Sequence, residues 1–406
     1  MKSSGLSKAR LGRMREVMAG HVLGEAEGGT VPGLVALVSR RGEVHVEAIG
    51  LQEVGGRPMQ RDTIFRVASL SKPIAAVAAL ILVEECRLRL DEPVDRLLPE
   101  LADRKVLRRL DGPLDDTVPA SRPITLRDLL TLRMGIGHIM KPSKGWPIKE
   151  ALRERKLLQG PPRPQSLPGP DEWMRQVAEL PLMHQPGEEW MYDLAMDVLG
   201  VLIARAADQP LETFLRERIF DPLGMKDTGF SVPPEKIDRL ATSYQTDHAT
   251  GELRVYDPAE GGEWSRPPAF PAASGGLVST ADDYLAFGRM MLDFGRYEGK
   301  AGSGRLLSRL SVEAMTTDQL TPRQREAAFS DDNRSWGLGV AVVVRRDQVS
   351  AVPGRFGWEG GLGTSWASDP REELIGLLLT QVNWDSPAPP EVWTDFWTSV
   401  YQAIDD

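Results

Sequence analysis

The feature that most restricts the fold of this chain is the run at residues 74–83, which reads Ile-Ala-Ala-Val-Ala-Ala-Leu-Ile-Leu-Val. A helix apolar on every side belongs in the middle of a protein. The run falls well short of the ~18 residues that cross a bilayer, so it calls for a chain large enough to bury it. A length of 406 residues fits one large domain or two interleaved ones. Pro73 is tolerated if it lies in the first helical turn, which places Ser69 at or just before the helix N-terminus and Lys72 in its opening turn.

An apolar fraction of 41%, with 39 glycines and 31 prolines, is ordinary globular usage slightly rich in turn formers and excludes disorder for the whole chain. The formal charge of −9 is modest, and Lys and Arg are scattered among Asp and Glu without a basic run. Nucleic acid and anionic membrane are therefore not expected partners. The single cysteine, Cys86, cannot form an internal disulfide; at the end of an apolar stretch it is expected to be a packed thiol. No secretory signal and no membrane span are evident, so a cytoplasmic location is the simple expectation. The oligomeric state is left open.

Leu11, Met14, Val17, Met18 and Val22 recur at helical spacing and predict a first helix within 10–25. Two β-rich runs, 34–39 and 44–49, flank Arg40-Arg41-Gly42-Glu43 and predict an antiparallel hairpin. From about 90 to 270 prolines are frequent and strand alternation is not sustained; helices are expected over 125–132 and 193–206. Residues 141–170 are proline-rich and polar, the character of a lid or a disordered segment. A helix is expected over 281–294, with Asp282 and Asp283 in its first turn. Strand character returns at 338–344, 364–367 and 374–380, before a last amphipathic helix over 391–403. Strands at both ends and helices between them predict an α/β unit built from 1–85 and 271–406, with a mostly helical insertion at 86–270. No internal repeat is visible.

Three segments can carry chemistry. Ser69-Leu70-Ser71-Lys72 puts a hydroxyl and an amine on one face of a helical turn. Serine is a weak nucleophile until a base takes its proton, and Lys72 serves as that base as an uncharged amine, its pKa lowered by burial or nearby positive charge. The spacing alone is weak, since roughly one Ser-x-x-Lys arises by accident in a chain this long. This one stands out because its lysine opens the most apolar helix. Tyr192 follows a turn and precedes a helix in Pro186-Gly187-Glu188-Glu189-Trp190-Met191-Tyr192-Asp193. A phenol beside a lysine can pass a proton between nucleophile and leaving group; it can equally be a packed ring. In Phe356-Gly357-Trp358-Glu359-Gly360-Gly361-Leu362-Gly363-Thr364 the glycines let backbone approach a ligand. The amides of Gly361 and Ser69 can then form an oxyanion hole, although the same glycines suit a plain hairpin.

Taken together, the order and spacing of these segments resemble the serine β-lactamase and penicillin-binding superfamily, most closely its class C-like carboxylesterase branch. Phe65 to Pro73 looks like the nucleophile motif of those enzymes, Trp190 to Gly200 like their tyrosine motif, and Phe356 to Thr364 like their third motif. The flanking 124–130, Gly224-Met225 and 275–279 are similar as well. The resemblance implies an antiparallel sheet flanked by helices, an inserted helical domain, and a site in the cleft between them. It further implies Ser69 as nucleophile, Lys72 and Tyr192 as the base pair, and Gly361 as an oxyanion donor. Trp358, Gly360 and Leu194 fall where those enzymes contact substrate. The β-lactamases carry Tyr-x-Asn, and here the third residue is Leu194; they carry Lys-Thr-Gly, and here Trp358-Glu359-Gly360 stands. Losing a cation and an amide points to neutral esters, and the negative charge of Glu359 is expected to disfavour anionic substrates further.

Competing motifs fail. No Gly-x-Ser-x-Gly elbow is present. His21, His45, His138, His184 and His248 are dispersed without a His-x-x-x-His pair, so neither metal nor other cofactor is expected. His138 and His184 lie near segments that should border the cleft. The expected activity is carboxylic ester cleavage on a small-molecule substrate. β-Lactam or D-amino-acid peptide cleavage, acyl transfer, and an inactive hydrolase fold used as a binding scaffold are the alternatives.

Overall fold

The computed structural model describes residues 4–25, 28–139, 145–157, 160–299, 302–329, 332–386 and 388–406. Its centre is a sheet of seven strands, antiparallel throughout. In chain order these are β1 (Gly33–Arg40), β2 (Glu43–Gly50), β3 (Arg334–Trp336), β4 (Ala341–Val343), β5 (Phe356–Gly360), β6 (Thr364–Asp369) and β7 (Leu374–Thr380), arranged β3-β4-β5-β6-β7-β1-β2. Both ends of the chain therefore meet at the β7–β1 seam, where Leu34 faces Thr380 and Arg40 faces Leu374.

The predicted hairpin is β1–β2. Arg41 and Gly42 link it with φ of +50° and +87°, the left-handed pair that a two-residue hairpin turn requires. Every residue of β1 is buried, because both faces of the sheet are covered and an unbroken apolar strand suits that position. Leu34, Ala36 and Val38 face α1 (Lys8–Gly20) and α5 (Glu391–Gln402) through Met14, Met18, Phe396 and Trp397. Gly376 on β7 leaves room for the Trp397 ring, whose nearest carbon would lie 2.5 Å from an added Cβ. Val35, Leu37 and Leu377 face the opposite side, toward α2 (Ser71–Glu84) and α4 (Ala281–Leu292).

Helix α2 contains the apolar run and is buried from Ser71 to Leu82. It lies between the sheet and the helical layer, whose main element is α3 (Leu194–Ala207). Two short ladders lie outside the sheet: Lys105–Leu107 with Thr117–Pro119, and Ser243–Thr246 with Leu253–Asp257, the latter bridged through Tyr244 to Val382 just beyond β7.

Several expectations are corrected. The first helix stops at Gly20, because Val22 leaves it to bridge Val31 and is buried there. The Phe356–Gly360 glycine segment is itself a strand, β5, paired on both sides. The proline-rich stretch carries a helix, Pro147–Glu154, and Pro170 opens another; residues 140–144 and 158–159 lie outside the described residues. Cys86 is exposed, because α2 emerges from the core at Glu84 and the chain turns through Cys86 at φ +57°. Among the described residues no helix is long and apolar enough to cross a membrane.

Candidate active site

The nucleophile segment enters along a short ladder, Phe65–Arg66 with Val278–Ser279, and Val67 N–H donates to the Leu277 carbonyl at 3.0 Å. The backbone then turns sharply through Ala68 at φ +44° into one 3-10 turn, Ala68–Leu70, that continues into α2. A left-handed alanine costs roughly 1–2 kcal/mol. Ser71 Oγ holds the turn by donating to the Ala68 carbonyl at 2.7 Å and accepting from Leu277 N–H at 3.1 Å. The result is a half-buried Ser69 with a fully buried Lys72 one turn behind it.

Lys72 Nζ lies 2.9 Å from Ser69 Oγ, 2.6 Å from Asp193 Oδ1 and 2.6 Å from the Ser274 carbonyl. Burial works against the ammonium, but Asp193 and then Tyr192 outweigh it and hold the lysine above its ordinary pKa. This corrects the expected uncharged amine. Burial alone would lower the pKa, but burial here comes with a carboxylate in contact.

Tyr192 is pinned by a backbone bridge in which it and His138 each donate N–H to the other's carbonyl at 2.8 Å. Its phenol accepts from Trp358 Nε1 at 2.8 Å. Burial pushes the phenol pKa up, while Lys72, 4.5 Å from the ring centroid, and Ser69 are among the neighbours that pull it down. Asp193 follows at φ +82°, ψ −67°, and α3 then begins. One turn along α3, Asp197 accepts from Ser274 N–H at 2.8 Å and Oγ at 2.9 Å; burial, then the charge of Asp193, pushes its carboxyl up to about 7.

The third wall is the end of β5. A Cβ on Gly360 would strike the Val67 carbonyl and Thr364 Oγ1. The glycine thus lets β5 dock on the nucleophile segment, where Thr364 Oγ1 also donates to the Val67 carbonyl at 3.0 Å. Gly361 opens onto the cleft with nothing within 4 Å of an added Cβ.

These segments enclose a cleft of about 460 Å³ onto which Ser69, Tyr192, Asp193 and Gly361 open. Trp190, Trp358, Phe329 and Trp384 give it aromatic walls. Gly160, Pro161 and Pro162 of the proline-rich stretch close one side, with the Tyr256 hydroxyl 2.9 and 2.7 Å from the Pro161 and Pro162 carbonyls.

Ser69, Lys72, Tyr192, Trp358 and Gly361 thus converge. Leu194 does not join them, since it is 1% exposed in the core. Gly360 serves the packing of β5 rather than the cleft surface. His138 lines the cleft, whereas His184 borders a separate hollow with Val106 and Gln185. Glu359 lies 3.5 Å from Arg334, which pairs its charge at the cleft. Asp193, Asp197 and Ser274 escaped the sequence reading. An Asp after a tyrosine and before a helix reads as a helix cap, and that reading hides its contact with a lysine far away in the chain.

A family model described as Beta-lactamase matches residues 15–393. The chain is 40% identical over 368 residues to Protein Rv1367c of Mycobacterium tuberculosis, covering 87% of each chain. It is 33% identical over 389 residues to Esterase EstB of Burkholderia gladioli, covering 88% of each. Among solved structures, EstCE1, a hydrolase with promiscuous acyltransferase activity, superposes with a TM-score of 0.77 at 25% identity, covering 97% of this chain and 99% of that one.

Proposed function

The chain belongs to the beta-lactamase family, and from that membership we propose that it is a serine esterase working through an acyl-enzyme on Ser69. The observation that carries the reading is the Lys72 amine 2.9 Å from the Ser69 hydroxyl and 4.5 Å from the Tyr192 ring at an aromatic-walled cleft. The ester carbonyl sits between the amides of Ser69 and Gly361, which stabilise the oxyanion. The competent form of the site is the one in which the Lys72–Tyr192 pair has lost one proton: as Ser69 attacks, its proton fills that place on the pair, and Tyr192 then protonates the departing alcohol. Water, activated by the same pair, releases the acid. The name of the relative Esterase EstB supports ester chemistry. The EstCE1 title also supports a secondary capacity for acyl transfer when an alcohol replaces water. The indole at Trp358 supports esters over β-lactams, because its N–H is engaged with Tyr192 rather than offered to a substrate carboxylate.

The test is a panel of p-nitrophenyl esters of increasing acyl length run beside nitrocefin, with fluorophosphonate labelling of Ser69. Ester turnover is expected to exceed nitrocefin turnover, and S69A to lose roughly 10³-fold or more in kcat. Faster nitrocefin cleavage would overturn the ester preference, and near-normal activity of S69A would remove the nucleophile.

A further inference from the structure

We propose that Asp193 is a positioning residue that aims the Lys72 amine at Ser69 and governs when that amine is free to act. The proposal rests on the serine esterase reading of this cleft and deepens it.

Lys72 Nζ has three close partners: Asp193 Oδ1 at 2.6 Å, the Ser274 carbonyl at 2.6 Å and Ser69 Oγ at 2.9 Å. A carboxylate and a carbonyl only accept. An ammonium satisfies all three with its three N–H bonds. An amine that has lost one proton keeps its remaining two N–H bonds on the two obligate acceptors. Its lone pair then faces the third partner, the Ser69 hydroxyl, which can donate. Asp193 and Ser274 therefore decide which proton leaves, and Asp193 also adds the charge that holds that proton on.

The backbone of Asp193 supports this role independently. At φ +82°, ψ −67° it occupies a region that side chains with a Cβ avoid. It occupies the cap position of α3, where aspartate ordinarily accepts from the helix N–H groups, yet its side chain makes no cap hydrogen bond. Both local preferences yield to the contact with Lys72.

Other titratable groups face this pair. Tyr192 adjoins it; Asp197 approaches from α3 with both oxygens turned to Ser274; His138 lies beside Tyr192 on the cleft wall; Glu359 and Arg334 form their own pair on the opposite wall. Asp197 is the chief competitor as the source of a pH effect, because its carboxyl is pushed up to about 7.

The experiment measures the second-order rate of fluorophosphonate labelling of the full chain against pH for wild type, D193N, D193G and D197N. Labelling is expected to rise with pH as Lys72 loses its proton. D193N keeps an acceptor oxygen but removes the charge, so its ascending limb should move about 1–3 pH units toward acid, the range set by one opposite charge in contact. Its plateau should stay within about 10-fold of wild type. D193G suits a positive φ, which offsets part of the cost of leaving the buried Lys72 without its carboxylate, and thermal melting beside the labelling confirms that it is folded. It should show the same acid shift with a plateau lower by roughly 10²-fold, as the aim of the amine is lost. An unmoved or alkaline-shifted limb in both Asp193 variants would overturn the proposal, as would a limb that moves acid only in D197N. If wild type fails to label at any pH, the serine esterase reading fails first, and that result is distinct from labelling with an unmoved limb.

Discussion

Replacing Trp358 with Phe removes one hydrogen-bond donor and little else, which makes it a sharp probe of the proton path. The indole N–H donates to Tyr192 Oη at 2.8 Å, and the ring packs edge-on against Trp336 at 4.7 Å and beside Tyr192 at 5.8 Å. Phenylalanine preserves most of that packing. While Tyr192 is a neutral phenol, the lost bond is worth about 1 kcal/mol. When negative charge builds on the phenol oxygen during proton transfer, the same bond becomes charge-assisted and is worth about 1.5–3 kcal/mol. The transition state thus loses more than the ground state. The difference is about 0.5–2 kcal/mol, so at 1.36 kcal/mol per decade kcat/KM on p-nitrophenyl butyrate should fall by roughly 2- to 30-fold, mostly in kcat, since an interaction stronger in the transition state than with bound substrate appears there. Steady-state kinetics with thermal melting as a control reads this out. A W358F enzyme within two-fold of wild type in kcat would show that the indole serves only as wall. A loss confined to KM would show that it binds substrate.

Two further outcomes follow from the packing. G360A drives a methyl into the Val67 carbonyl and Thr364 Oγ1, so it should cost about 1–3 kcal/mol of stability and roughly 10²-fold in kcat, whereas G361A, with open space at its Cβ, should melt like wild type; equal melting temperatures for the two would contradict the docking role of Gly360. Burial pushes the Asp283 carboxyl up to about 6 despite hydrogen bonds from Asp227 N–H at 2.7 Å and Thr228 Oγ1 at 2.9 Å. A folded pKa above the unfolded one means that this group's contribution is full below about pH 4 and is lost as pH rises through about 6, so wild type should lose on the order of 2–3 kcal/mol relative to D283N between pH 4 and 7 in denaturant titrations, and a relative gain would refute the assignment.

The parts of the fold legible in the sequence are those whose cause is local. Two β-rich runs and the Arg41-Gly42 turn between them announce β1 and β2, and the apolar run announces a buried α2. Strand β5 hides because four of its residues are Phe, Gly, Glu and Gly, and its glycines exist for close approaches to Ala367 and Val67 that only tertiary structure reveals. The burial of Cys86 was misjudged for a similar reason: an apolar run does not say at which turn its helix leaves the core. At the site, Ser69, Lys72, Tyr192 and Gly361 are readable through motif order. Asp193 is not, because its backbone contradicts its own preference for a cap and its partner lies 121 residues earlier. The same logic hides Arg334, whose pairing with Glu359 depends on β3 and β5 flanking the short β4 in one sheet.

The two departures from the β-lactamase motifs have a common physical sense. Leu194 and Trp358 replace an amide and a cation, and both replacements face inward: Leu194 into the core and the Trp358 N–H onto Tyr192. Polar groups that would otherwise fix a charged substrate have become apolar packing in one case and support for the proton path in the other. The remaining charges at the cleft form internal pairs, Asp193 with Lys72 and Glu359 with Arg334, and a charge already paired in a partly dry site gains little from exchanging its partner for a substrate group. Discrimination among acyl groups therefore falls to shape and apolar contact against Trp190, Phe329, Trp358 and Trp384, where each methylene contributes a small, non-directional increment. On the proposed esterase reading, such a cleft is expected to accept a graded series of neutral acyl chains rather than one exact partner, with the strict geometry reserved for the carbonyl at Ser69.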